Sequence, residues 1–119
     1  MSSNVIDTAI NGEASFTGKA YFFKRSQYVR FDWAKDRMDD GYPLAIAATW
    51  RGLPSEFAAG IDAAINGEAS FAGKAYLFRG SRYIRYDWAK DRMDDGYPLA
   101  IAATWRGLPS EFAAGIDAA

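Results

Sequence analysis

Two runs, Lys19-Ala-Tyr-Phe-Phe-Lys24 and Tyr28-Val-Arg-Phe-Asp-Trp33, stand on either side of Arg25-Ser26-Gln27. Aromatic and β-branched residues interrupted by a short polar break predict a β-hairpin. The pattern returns as Lys74-Ala-Tyr-Leu-Phe-Arg79 and Tyr83-Ile-Arg-Tyr-Asp-Trp88, now with Gly80-Ser81 at the turn. Glycine takes positive φ without steric cost and Arg25 does not, so the first hairpin is expected to turn less comfortably. Side chains alternate along a strand. Ala20, Phe22 and Lys24 therefore oppose Tyr21 and Phe23, and Val29, Phe31 and Trp33 oppose Tyr28, Arg30 and Asp32. Aromatics sit on both faces, so each sheet needs a neighbour on each side.

Working outward, a shift of 55 residues lays 11–60 over 66–115, and 43 of those 50 positions are identical. The seven differences are Thr17/Ala72, Phe22/Leu77, Lys24/Arg79, Arg25/Gly80, Gln27/Arg82, Val29/Ile84 and Phe31/Tyr86. Beyond them, 32–60 equals 87–115 letter for letter. Cores tolerate volume-preserving exchanges and surfaces tolerate more, so folding does not demand that identity. A recent duplication or a designed consensus repeat accounts for it. Ile6-Asp7, Ile61-Asp62 and Ile116-Asp117 recur at the same spacing, so the chain holds two full units and the start of a third. The length of the unit does not settle its class. Sheets that are apolar on both faces suit the blades of a β-propeller.

Composition narrows the function. A chain of 119 residues, half of them hydrophobic and 16% aromatic, is one modest domain able to bury a core. It contains neither cysteine nor histidine. That excludes disulfides, thiolate or imidazole metal ligands, Ser-His or Cys-His catalysis and a histidine pH switch. With 14 basic against 15 acidic residues, the chain lacks the positive excess that phosphate backbones require, and nucleic acid is not an expected partner. No apolar run approaches the ~18 residues of a membrane span, and no basic and apolar leader follows Met1. The chain reads as soluble and unprocessed, with no membrane partner. Lack of cysteine fits a reducing compartment, so a cytoplasmic location is expected.

Around the hairpins, Ile6 to Ile10 and its copy Ile61 to Ile65 predict a short strand of small residues that could line a narrow axis. Ala34 to Gly41 predicts a charged loop with a short edge strand near Arg37-Met38-Asp39, as does Arg92-Met93-Asp94 in the copy. Leu44 to Trp50, and Leu99 to Trp105, predict about two helical turns stopped by the Gly and Pro that follow.

Taken in order, several segments of each unit point to a family. They are Gly-Lys-Ala-Tyr-(Phe/Leu)-Phe at 18–23 and 73–78, Tyr-(Val/Ile)-Arg-(Phe/Tyr)-Asp at 28–32 and 83–87, Asp-Gly-Tyr-Pro at 40–43 and 95–98, and Trp-Arg-Gly-Leu-Pro at 50–54 and 105–109. Together with Ile-Asp-Ala-Ala at 61–64, this series resembles the hemopexin-like repeat, closest in flavour to plant albumins and bacterial hemopexin-like proteins. The resemblance implies an all-β four-bladed propeller of four-stranded blades, with the Asp-Ala strand innermost and a peripheral helix after the Tyr-Pro segment. Blade 1 is expected at 5–60 and blade 2 at 61–115. Residues 116–119 are the start of a third repeat, a linker remnant or a swapped closing strand. Two blades cannot close a ring, so a homodimer is expected to supply all four, the competing outcomes being a fragment of a longer chain with further covalent blades and an open or larger assembly.

The resemblance further implies that the main-chain oxygens of Asp7 and Asp62, with the backbone at Ala9 and Ala64, line an axial site for calcium or sodium. Chloride would sit at a deeper ring of N–H groups. Haem is not expected, because His and Cys are absent and Met38 and Met93 lie in charged segments. Asp39, Asp40, Asp94 and Asp95 could attract a cation at the ring mouth, where Tyr and Trp offer stacking surface, although solvated loops and blade packing explain the same residues. Asp32/Asp87 and Glu56/Glu111 have no spacing that makes them a catalytic carboxylate pair, so no catalysis is expected. The resulting expectation is a self-assembling structural module, duplicated or engineered, with an axial ion. The alternative is a natural binding protein that recognises a small cationic ligand, a glycan or a protein at the mouth.

Overall fold

Each hairpin is the centre of one sheet. In the computed structural model, which describes residues 6–117, β1 (Thr8–Asn11) pairs antiparallel with β2 (Lys19–Lys24), and β2 pairs with β3 (Gln27–Asp32). Two short strands, β4 (Arg37–Met38) and β5 (Leu44–Ala45), both pair with β3. One-turn helices α1 (Ile46–Thr49) and α2 (Ser55–Ala58) complete the unit. The second unit repeats the plan with β6 (Ala63–Asn66), β7 (Lys74–Arg79), β8 (Arg82–Asp87), β9 (Arg92–Met93), β10 (Leu99–Ala100), α3 (Ile101–Thr104) and α4 (Ser110–Ala113). The chain is thus all-β in its sheets and built of two repeats. Val5 and the end of the tail at Ala118-Ala119 lie outside the described residues.

Local chemistry explains the bends. The hairpin turns at Arg25-Ser26, and Arg25 is held at φ 55°, the conformation that Gly80 adopts at φ 59° in the copy. The carboxylate of Asp7 accepts a 2.7 Å hydrogen bond from the Arg25 backbone N–H, and Asp62 accepts one of 2.8 Å from Gly80. Gly12 and Gly67 leave β1 and β6 where any Cβ would collide with the carbonyl oxygen of Phe16 or Phe71, so close approach requires glycine there.

Two expectations shift. The inner strand begins two residues later than Ile6 or Ile61; the Asp7 and Asp62 N–H groups still donate to the Phe23 and Phe78 carbonyls at 2.8 Å, and their carboxylates clamp the turn. Leu44 to Trp50 forms one helical turn rather than two: Leu44 and Ala45 join the sheet opposite Tyr28 and Gln27 before the helix starts at Ile46. The edge strand at Arg37–Met38 forms as expected, and so does that at Arg92–Met93.

The main core lies between the two sheets. Tyr21, Phe23, Trp50 and Phe57 of the first meet Leu77, Ile84, Tyr86 and Trp88 of the second. Identical sequence therefore has unequal burial: Trp88 is 1% exposed and Trp33, its counterpart, 56%, while Phe57 is 0% exposed and Phe112 52%. Burying a side chain of this size stabilises the fold by about 1.5–3 kcal/mol, so the seam carries much of the stability.

Candidate binding site between the blades

The seam is both packed and polar. Trp50 lies 4.9 Å from Tyr86 and 5.8 Å from Trp88, centroid to centroid, and stands edge-on to Tyr21 at 5.4 Å. Asn66 donates from Nδ2 to the Asn11 carbonyl at 2.8 Å, Gly73 donates its N–H to Glu13 Oε1 at 3.2 Å, and Met93 donates its N–H to the Arg51 carbonyl at 2.9 Å. Arg82 and Glu56 form an ion pair across the same boundary.

Inside the seam is a cavity of ≈ 170 Å³. Its walls are the rings of Phe16, Tyr21, Tyr28, Tyr42 and Trp50 from the first unit and Trp88 from the second, and its polar groups are Arg30, Thr49 and Asp91. Strand alternation puts Tyr21 and Tyr28 on the seam face. The Tyr28 hydroxyl lies 2.6 Å from Thr49 Oγ1, and the Arg30 guanidinium lies over the Tyr42 ring at 5.4 Å while its Nε donates to Asp39 at 2.7 Å. Asp91, at φ 55°, accepts a 2.6 Å hydrogen bond from the Tyr86 hydroxyl. Burial pushes Tyr28 up to about 12, against the pull of its Thr49 hydrogen bond. Burial, together with the Asp91 carboxylate, raises Tyr86 as well. Both hydroxyls therefore stay protonated and can donate at neutral pH.

Such a cavity is below the ~300–1,000 Å³ of drug-sized sites. Rings around a few fixed donors and acceptors suit one small polar ring: apolar faces stack while hydroxyls are read by Arg, Asp and Thr. The second unit repeats seven of the nine lining positions, as Phe71, Tyr76, Tyr83, Arg85, Tyr97, Thr104 and Trp105, in a wider cavity of ≈ 550 Å³. It has no counterpart of Trp88 and Asp91. In the sequence, blade packing alone accounts for these rings, and no motif marks them as a site. The signal available was Arg30 and Arg85, each a charge on the aromatic face of its hairpin.

The residues named for other roles lie elsewhere. Ala9 is exposed on β1 and Ala64 is buried on β6 within the seam core, while Asp7 and Asp62 clamp the turns. An axial site for calcium, sodium or chloride is a correction: among the described residues, no group of three or more His, Cys, Asp or Glu side chains is assembled to hold a metal ion. The physical reason is that the carboxylates are already committed. Asp39 is held by Lys19 and Arg30, both at 2.7 Å, and Asp94 by Lys74 and Arg85, also both at 2.7 Å. Asp32 and Asp87 pair with the same lysines. Among the described residues no helix is long and apolar enough to cross a membrane.

Two paired sheets of repeated plan, meeting on an aromatic seam with a cavity, define a bladed repeat protein. Residues 6–55 and 61–110 match the Hemopexin family model, and the chain belongs to that family. It is 33% identical over 105 residues to matrix metalloproteinase-21 of Xenopus laevis, covering 83% of this chain and 17% of that protein. Among solved structures it is similar to a plant albumin from Cicer arietinum showing hemagglutination, at TM-score 0.71 and 28% identity over 95% of this chain and 50% of the other. It is also similar to a plant lectin with two metal binding sites from Cicer arietinum, at TM-score 0.73 and 29% identity over the same shares. The chain spans about a sixth of the metalloproteinase (17%) and half of each plant protein (50%).

These relatives correct a second expectation. A designed or consensus structural module with an ion site is not supported, because natural animal and plant proteins align across most of the chain at ordinary homologue identities of 28–33%. The matched region carries no histidine or cysteine for metallopeptidase chemistry.

Proposed function

We propose that this chain is a natural, non-catalytic binding module that recognises a saccharide unit in the cavity between its blades. The carrying observation is the ≈ 170 Å³ cavity that combines stacked rings with Arg30, Thr49 and Asp91. Hemagglutination by the similar Cicer arietinum albumin supports a carbohydrate over a small cation. The carboxylates first considered for a cation support the same preference, since Asp39 and Asp94 are already paired. In this reading the chain divides into blades at 5–60 and 61–115, and two copies close a four-bladed ring. Closure would also make the module multivalent.

The test is a glycan array probed with the purified chain, followed by titration of the best methyl glycoside against wild type and Arg30→Ala. Binding that weakens at least about tenfold on removing the guanidinium supports the site, since a charge-assisted hydrogen bond is worth about 1.5–3 kcal/mol. Equal binding by both proteins, or no binding to any saccharide at millimolar concentration, overturns it.

A further inference from the structure

The two outer faces of the pair are the two halves of the seam between them. Blade 2 presents Phe71, Tyr76 and Trp105 along an open cavity, the counterparts of the Phe16, Tyr21 and Trp50 that receive Trp88 in blade 1. Blade 1 presents, on its opposite face, Phe22, Val29, Phe31 and Trp33, which correspond to the Leu77, Ile84, Tyr86 and Trp88 buried within the pair. Trp33 is already oriented as Trp88 is: each donates its indole N–H to the matching asparagine, Asn11 at 2.9 Å and Asn66 at 2.7 Å. Asp36 holds φ 54°, as Asp91 holds 55°.

We infer that blade 2 carries an incomplete second copy of the seam cavity, which a second copy of this chain completes with its Trp33 and Asp36. The inference rests on the ring closure proposed above and assigns its contacts. The closing contact repeats the internal one: Gly18 takes the place of Gly73 and donates to Glu68, and Met38 takes the place of Met93 and donates to the Arg106 carbonyl. Two such head-to-tail contacts, related by a two-fold axis, use up both open faces and leave none for further growth. The tail contributes as well. Ile116 packs against the blade 2 cluster as Ile61 packs within the main core, so the closing seam receives its isoleucine from the chain that precedes it.

The copy is not exact, and the differences weaken it. Gln27 stands where Arg82 stands, so Glu111 gains no ion pair, and Phe31 stands where Tyr86 stands, so Asp36 gains no phenol donor. The seam between copies is therefore the weaker of the two and the one that opens on dilution.

Light scattering and sedimentation of the full chain test this without a ligand. The expected result is twice the chain mass at high concentration. Trp33→Ala should shift the species to single chains. Gln27→Glu, a change at an exposed position that folding tolerates, should weaken association by setting a charge opposite Glu111. Gln27→Arg adds one exposed ion pair to each of the two contacts and should tighten association about two- to thirtyfold. A folded chain that stays at single mass, or a dimer whose dissociation constant is unmoved by either change at Gln27, overturns the inference. The saccharide titration separates the two proposals. Doubled mass with Gln27 dependence and no sugar binding upholds closure and refutes the binding reading. Sugar binding by a single-mass chain does the reverse.

Discussion

The Tyr86 hydroxyl donates to Asp91 Oδ1 at 2.6 Å, and Tyr86 itself packs 4.9 Å from Trp50 across the seam. One side chain thus closes the core and orients a carboxylate at the cavity. The sequence carries its own control, because the matching position in the first unit is Phe31.

Tyr86→Phe is accordingly expected to cost only about 1 kcal/mol of stability, one hydrogen bond with packing preserved. Saccharide affinity should fall several-fold more than that of a surface control, because Asp91 loses its anchor. Chemical denaturation and a binding titration on the same preparations check both parts.

Phe57 and Phe112 separate packing within the chain from packing between chains. Phe57→Ala leaves a cavity in the main core and should destabilise by about 3–5 kcal/mol. Phe112 is half-exposed, so Phe112→Ala should cost a dilute single chain less than about 1 kcal/mol. Urea melts at low and high protein concentration distinguish the two, the Phe112 variant showing its loss only at high concentration.

Arg25 sits at φ 55° in a turn where the copy has Gly80. Arg25→Gly relieves the left-handed cost of about 1–2 kcal/mol and gives back part of it as unfolded-chain entropy. A net gain of about 0.5–1 kcal/mol is expected, since the backbone N–H that reaches Asp7 is kept. Thermal denaturation of the variant should show a raised midpoint; a lowered one would mean that the turn carries no strain.

The acid limb of stability follows from the ion clusters. Hydrogen bonds from Lys19 and then Arg30 hold the Asp39 carboxyl below the usual range. For Asp94 burial pulls upward, and the hydrogen bonds from Lys74 and Arg85 outweigh it. A carboxyl depressed in the fold stabilises it above the unfolded value of about 4, and that contribution disappears as pH falls through the folded value. The melting temperature should therefore be level between about pH 7 and 5 and drop below about pH 4. Tyr28 works at the other end: with its value raised to about 12, its contribution is complete below the ordinary value of 10.0 and lost as pH climbs through the folded one. A melting series across pH should show both limbs.

The repeat, the hairpins and the family were all legible in the order of residues, because strand alternation and turn chemistry are local and each unit spells them twice. The helix is shortened because Leu44 pairs with Tyr28, and Asp7 clamps a turn 18 positions away; both are contacts between distant residues. The cavity was illegible for a stronger reason. Tyr21, Trp50 and Trp88 meet only when one sheet packs on the next, and the one nearby difference, Phe31 for Tyr86, does not say which of Trp33 and Trp88 is covered, since both end the same strand after an aromatic residue and Asp. Sequence determined what each unit is. Tertiary structure decided which of two nearly identical faces is covered, because burial depends on a neighbour and the chain supplies its first unit with that neighbour on one side only.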